Sequence, residues 1–406
     1  MKKRCSVIEL EIDHKTDEIA AQIINWRRQF HQHPELELNC CHTAEVVSQH
    51  LLGLGLEVQT GIADTGVIGV LASQNPGPVV ALRVDMDALP IGEQTGLPFA
   101  SRVDGVMHAC GHDGHTAIGM GVATVLAQCR DSLQGTVKFI FQPGEEFPGG
   151  SKIMIAGGAL DSPRVDAILG GHIYPGLPLG KVGVRYGVMT AADDEFTVEL
   201  KGTGGHGAYP HQCADPIVAA GHLITALQSI VARNTDPLDS LVVSLGQITG
   251  GSGYNVIPER VVIKGTIRSL SEYSRETAHQ RLKEILNGIQ QAFGVEHSLD
   301  LIPGNPSLTC DRHLTAFIEE CLVDLVGREQ VFSIPAPSMG AEDFAYYAEQ
   351  VPATYLRLGS RDEAGGYLHA LHTPYFDFNE QILIDGTKVF AHLISRLLAR
   401  ATHLSV

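Results

Sequence analysis

Basic residues are scarce. Lys and Arg number 29 against 46 Asp and Glu, a formal charge of −17. Phosphate backbones and acidic bilayers recruit the opposite balance, so neither nucleic acid nor membrane is expected as a partner. Long apolar runs are also lacking, and none suggests a bilayer span. The basic start, Met1-Lys2-Lys3-Arg4-Cys5, has no secretory core behind it, because Glu9, Glu11, Asp13 and His14 follow too soon. The expected compartment is therefore cytoplasmic. Eight cysteines in 406 residues do not make a disulfide scaffold; in a reducing compartment they serve as core residues or ligands. Repeats and low-complexity tracts are absent. The remainder is ordinary globular composition, 44% hydrophobic and 18% charged, in a chain long enough for two domains.

Periodicity predicts helices over Thr16–Phe30, ended by Pro34, over Thr43–Leu54 and over Thr116–Gln128. Short apolar runs at Gly66–Ala72, Val79–Val84, Thr136–Phe141 and Ala167–Leu169 read as buried strands. Strands alternating with helices indicate an α/β sheet covered on both faces, with functional loops beyond the strand ends. The texture changes near Val188. Strands at Asp194–Leu200, Leu241–Ile248 and Val261–Ile267 alternate with helices at Pro216–Ala232 and Arg275–Phe293, the pattern of a small inserted α/β sandwich. The first domain resumes with a helix to Val326, a strand at Thr354–Leu358 and a helix over Ile382–Ala399. The expected division is 1–187 and 301–406 for a discontinuous catalytic domain, and 188–300 for the insert.

Chemistry concentrates in four fragments: Met107-His108-Ala109-Cys110-Gly111-His112-Asp113-Gly114-His115, Gln142-Pro143-Gly144-Glu145-Glu146, Gly170-Gly171-His172 and Leu371-His372-Thr373-Pro374. Thiolate, imidazole and carboxylate together are the donors of a late first-row cation. Cys110, His112, His172 and one member each of the Glu145/Glu146 and His369/His372 pairs read as one scattered metal site. One glutamate would bind while its neighbour transfers protons. Cys110 acting as a nucleophile with His112 as its base is the rival reading. Asp87 and Asp113 suit ligands or carboxylates that orient a ligating imidazole, whereas Asp85 suits a turn or helix cap. In the insert, glycines surround His206, and Asn255 and Arg268 offer an amide and a guanidinium suited to a substrate carboxylate.

These fragments in order resemble the dinuclear metallopeptidase family of aminoacylases and glutamate carboxypeptidases, in particular its amidohydrolase branch of hippurate hydrolase, N-acyl-amino-acid deacetylases and indole-acetyl-amino-acid hydrolases. Arg27-Arg28-Gln29-Phe30-His31-Gln32-His33-Pro34-Glu35, Asp85-Met86-Asp87-Ala88-Leu89-Pro90 and Phe376-Asp377-Phe378-Asn379 extend the likeness nearly end to end. The resemblance implies a mixed-sheet catalytic domain with an inserted lid and dimerisation domain. It implies two divalent ions per subunit, with zinc, manganese, cobalt and nickel all occurring in the family. It further implies Cys110, His112, Glu146, His172 and His372 as ligands, Glu145 as general base, and His206 as a carbonyl-polarising histidine supplied from a partner in a homodimer. Asn255 and Arg268 become substrate-carboxylate contacts. The implied activity is hydrolysis of N-acyl amino acids; a dipeptidase or carboxypeptidase on the same scaffold is the alternative, and a non-catalytic metal-binding protein would leave Glu145 and Arg268 without a role.

Overall fold

Alternation along the strands decides what each face of the main sheet carries. In Val79–Asp85 and Thr136–Gln142, Val80, Leu82, Val84, Val137, Phe139 and Phe141 enter the apolar core. Arg83, Asp85, Lys138 and Gln142 point the other way and are equally buried. The computed structural model describes residues 7–400. The chain forms two units, one of Met1–Gly187, Thr309–Pro335 and Tyr346–Val406, the other of Val188–Leu308 and Ala336–Ala345.

The first unit is built on an eight-stranded mixed sheet in the order Glu57–Ile62, Gly66–Ala72, Thr136–Gln142, Val79–Asp85, Ala167–Pro178, Ala353–Arg361, Val182–Val184, Val331–Ser333. Its four inner strands, from Thr136–Gln142 to Ala353–Arg361, run parallel. Helices Ala20–Gln32, His112–Gln128 and Gln381–Ala399 pack together over the apolar face. The His112 helix is buried on every side through Leu126; its apolar residues enter the core, and Asp113 and His115 are buried against polar partners. Gly111, at φ +90°, supplies the left-handed turn into it.

Two expectations for the first unit change. The predicted helix Thr16–Phe30 is two helices, Val7–Glu18 and Ala20–Gln32, because Ile19 leaves helical geometry while the apolar period runs on. The strand expected at Ala167–Leu169 extends to Pro178. Gly170 and Gly171 interrupt the apolar run but not the ladder, pairing with Tyr355 and Leu356. His172 therefore lies within a strand, opposite Arg357.

The second unit is an antiparallel sheet ordered Leu241–Gly250, Arg260–Ser269, Ala192–Lys201, Glu296–Pro303. Helices Pro216–Ser229 and Glu272–Phe293 cover one face, burying Leu223, Leu227, Leu282 and Leu286 against Phe196, Val198, Val261 and Ile263. Asp215 and Ser271 cap these helices through their side chains. The Glu296–Pro303 strand carries this sheet past residue 300. Contrary to expectation, the helical stretch Pro216–Asn234 is long and apolar enough to cross a bilayer; one third of its apolar window is buried in the protein. The seven described cysteines are free.

Candidate metal centre

The first-unit residues singled out from sequence converge at the ends and margins of the parallel strands. Cys110 Sγ lies 3.3 Å from His172 Nε2 and 3.2 Å from His372 Nε2. His372 Nε2 is 3.1 Å from Glu146 Oε1, and His112 Nε2 is 4.0 Å from Glu145 Oε2. The donor atoms form overlapping groups: Cys110, His112 and His172; Cys110, Glu146 and His372; His112, Glu145 and Glu146. Cys110 is common to the first two, so two cation positions would share one sulfur.

Local structure aims these atoms. His112 donates through Nδ1 to the Asp87 carbonyl at 2.8 Å, and His172 through Nδ1 to the Ile173 carbonyl at 2.6 Å. Each ring thereby directs its Nε2 at the centre. His112 Nε2 is buried without a hydrogen-bond partner, an orphan that fits a cation better than a packed core. The Asp87 carboxylate accepts the consecutive amides of Glu145 and Glu146, both at 3.0 Å, and so fixes the loop that presents them. His372 adopts φ +61° and donates its amide to the Ala109 carbonyl. That unusual backbone is held by the loop carrying Cys110, as strained residues at working sites often are.

Charge in the cluster follows burial and neighbours. Burial, reinforced by Glu146 and Glu145, pushes the Cys110 thiol well above its ordinary range. Burial opposes a charge on His112, but Asp85 and Asp87 overcome it and raise the imidazole to about 10. Burial holds His172 well below the usual value, and His115 and Arg357 add to the effect. Burial works against Glu146 as an anion, yet His372 and His112 keep its carboxyl below the ordinary value.

Some residues go elsewhere. Asp113, expected beside a ligand imidazole, instead receives Arg27 Nε at 2.9 Å and His31 Nδ1 at 2.8 Å. It opens the His112 helix and faces the Ala20–Gln32 helix, whose buried Arg27 also pairs with Asp377. His369 stacks on Tyr375 and joins none of the donor groups. His108 is buried with both nitrogens unpartnered, and burial lowers it to about 3. Asp85, read as a cap, is a buried partner of Arg83 and His115; the Asp-x-Asp alternation before Ala88 and the three-residue step from His112 to His115 were the signals available.

In the second unit, His206 and Asn255 line one cleft of about 690 Å³. Gly207 donates its amide to the Asn255 carbonyl, and Ala208 donates to Nδ1 of the exposed His206 at 3.1 Å. Arg268 lies apart, 3.7 Å from Asp193 at the opposite end of its strand.

A family model described as peptidase family M20/M25/M40 matches residues 81–396. The chain is 40% identical over 377 residues to an N-acetyl-L-cysteine deacetylase of Bacillus subtilis, covering 93% of this chain and 88% of the relative. It is 44% identical over 288 residues to an N-acyl-L-amino acid amidohydrolase of Geobacillus stearothermophilus, covering 71% and 77% respectively. A solved Bacillus subtilis structure, described as a dinuclear metal binding peptidase, superposes with a TM-score of 0.81 at 34% identity over 94% of this chain and 99% of that one.

Proposed function

The chain belongs to peptidase family M20/M25/M40, and from that premise we propose that it is a metal-dependent amidohydrolase that splits N-acyl amino acids into a carboxylate and a free amino acid. The observation that carries the reading is the Cys110 sulfur common to two donor groups, with Glu145 at their margin. Cys110, His112 and His172 would hold one divalent ion; Cys110, Glu146 and His372 would hold the other. Bound there, the ions supply electrophilic charge at the scissile carbonyl and make the hydrolytic water more acidic. Glu145 takes the proton of the attacking water and passes it to the departing amine. His206 polarises the carbonyl, and Asn255 and Arg268 hold the carboxylate of the amino-acid half. The relatives named as deacetylases and acyl-amino-acid amidohydrolases support this substrate class. Cys110 is a poor nucleophile here, because its buried thiol is held protonated among carboxylates.

The geometry of the second unit supports a homodimer. His206 and Asn255 flank the Arg260 end of the sheet, whereas Arg268 lies at its other end. Eight residues of strand separate these ends, about 27 Å, too far for one copy to grip one small substrate with all three. We therefore propose that His206 and Asn255 on one hand, and Arg268 on the other, serve different reaction centres of a homodimer.

The test is hydrolysis of a panel of N-acyl amino acids. Chelation should abolish turnover and added divalent cation restore it, whereas a thiol hydrolase would keep working. Glu145→Gln should lower kcat by about 10²- to 10⁴-fold with metal content intact; undiminished turnover in that variant would exclude the role given to Glu145.

A further inference from the structure

We propose that His115 is a positioning residue that sets the ring of His172, and with it the affinity of one of the two ion positions, while touching no ion itself. The inference rests on the dinuclear reading above. A buried polar chain crosses the sheet beneath the centre. Arg83 donates Nε to Gln142 Oε1 at 2.9 Å and Nη1 to Asp85 Oδ2 at 2.6 Å. Asp85 Oδ1 lies 2.6 Å from His115 Nδ1, and His115 Nε2 lies 2.9 Å from the Ile173 amide nitrogen. Arg83, Asp85, Gln142 and His115 are no more than 2% exposed.

The direction of each hydrogen follows from chemistry. A backbone amide only donates, so His115 Nε2 carries the lone pair; Nδ1 then carries the proton and donates it to Asp85. Both ring nitrogens are spent. This matters because Asp85, His112 and His115 lie close enough together to pass for another cation site. His115 has no lone pair to offer one, and the two Asp85 oxygens are engaged by Arg83 and His115. His112 Nε2 stands 3.8 Å from Asp85, beyond hydrogen-bond reach. The group is a brace.

What the brace holds is Ile173. The amide of this residue is fixed by His115, and its carbonyl receives His172 Nδ1. Helix, strand and ligand are thus joined in series: His115 on the His112 helix, the Ile173 backbone, the His172 ring. Without His115 the Ile173 amide loses its partner in a buried setting, the backbone there shifts to find another, and His172 Nε2 turns from Cys110. The other ion position is mounted differently. His372 hangs from the Ala109 carbonyl and meets Cys110 and Glu146, whereas the His115 ring bonds to Asp85 and Ile173. The effect should therefore fall on one position only.

The experiment titrates cobalt(II) into full-length, chelator-stripped protein, following visible absorption and heat. Wild type should take two ions. His115→Phe, similar in size but without ring nitrogens, should bind one of them about 10- to 100-fold more weakly, the usual cost of losing a group behind a ligand, and leave the other unchanged. His115→Gln, whose amide oxygen can accept the Ile173 amide, should recover part of that loss; His115→Asn, too short to reach, should not. Unchanged affinities in His115→Phe would overturn the proposal. So would equal losses at both positions accompanied by a fall in the Tm of the stripped protein, the mark of a folding role alone. Nitrogen-15 NMR of histidine-labelled wild type gives a readout independent of metal count: the Nδ1–H tautomer at His115, unmoved by zinc, is expected, and an Nε2 resonance that shifts to a ligated position would sink the brace. Wild type that takes fewer than two ions would instead overturn the dinuclear reading, and the tautomer would still decide the role of His115.

Discussion

Cys110 and His112 are asked for opposite things by their surroundings and by the metal ligation proposed for them. Buried among carboxylates, the thiol is pushed well up and the imidazole to about 10. Both therefore hold protons near neutrality when no cation is present, yet thiolate and neutral imidazole are the forms that ligate. The sign is clear: raised pKa values mean that ion uptake must displace protons, so affinity should increase with pH through the neutral range. Calorimetry of zinc binding in buffers of different ionisation enthalpy should show net proton release; heats independent of buffer would contradict it. At this scale sequence reasoning reached the donors by their types and their glycine-rich settings. It could not reach Asp113, because nothing local to Asp113 announces Arg27 and His31, which arrive from a helix more than 80 positions away. His369 and His372 were equivalent on composition; backbone geometry separates them, since only His372 is pinned to Ala109.

Among elements, the second unit shows one interaction whose acid response can be worked out. Asp194, in the Ala192–Lys201 strand, receives Arg275 through both Nε and Nη2 and lies 2.6 Å from His279 Nε2, both from the long helix. Burial resists its charge, but these partners lower its carboxyl to about 2. A depressed folded-state pKa contributes stability that is full above the unfolded value near 4 and is lost as pH falls toward 2. Asp194→Ala should destabilise the unit by about 3 kcal/mol at neutral pH, since it leaves a largely buried guanidinium with only the Gly304 carbonyl and Glu272, and the difference from wild type should shrink in acid. Urea melts at pH 7 and pH 3 would check it; an equal deficit at both would refute the pairing. Element types were readable from periodicity, as in Glu272–Phe293, where apolar positions recur at helical spacing. Missed were short or edge strands such as Glu57–Ile62, Val182–Val184 and Val331–Ser333. Their place is fixed by partners in the sheet, and their own residues carry little alternation to betray them.

For the whole molecule the question is where His206 acts. If it serves the partner, mixing two inactive variants should create activity. In a hybrid of Glu145→Gln and His206→Ala subunits, one centre has an intact Glu145 and receives an intact His206. Random reassortment makes about half of the dimers hybrid, each with one working centre, so about a quarter of wild-type turnover should return. Activity no higher than that of the separate variants would exclude action across the dimer. The start of a second unit could be anticipated from the change of texture near Val188, but the separation of Arg268 from His206 along the sheet emerges only once register is known.

The spacing of the donors along the chain also orders assembly in time. During synthesis Cys110, His112, Glu146 and His172 leave the ribosome together, and His372 follows about 200 residues later. The donors Cys110, His112 and His172 all lie in the early part of the chain, although the His172 strand is completed only by pairing with Ala353–Arg361, while the Cys110–Glu146–His372 group must also wait for a contact that closes a very long loop. If ions bind there as proposed, the second would act as a clasp on a nearly finished fold.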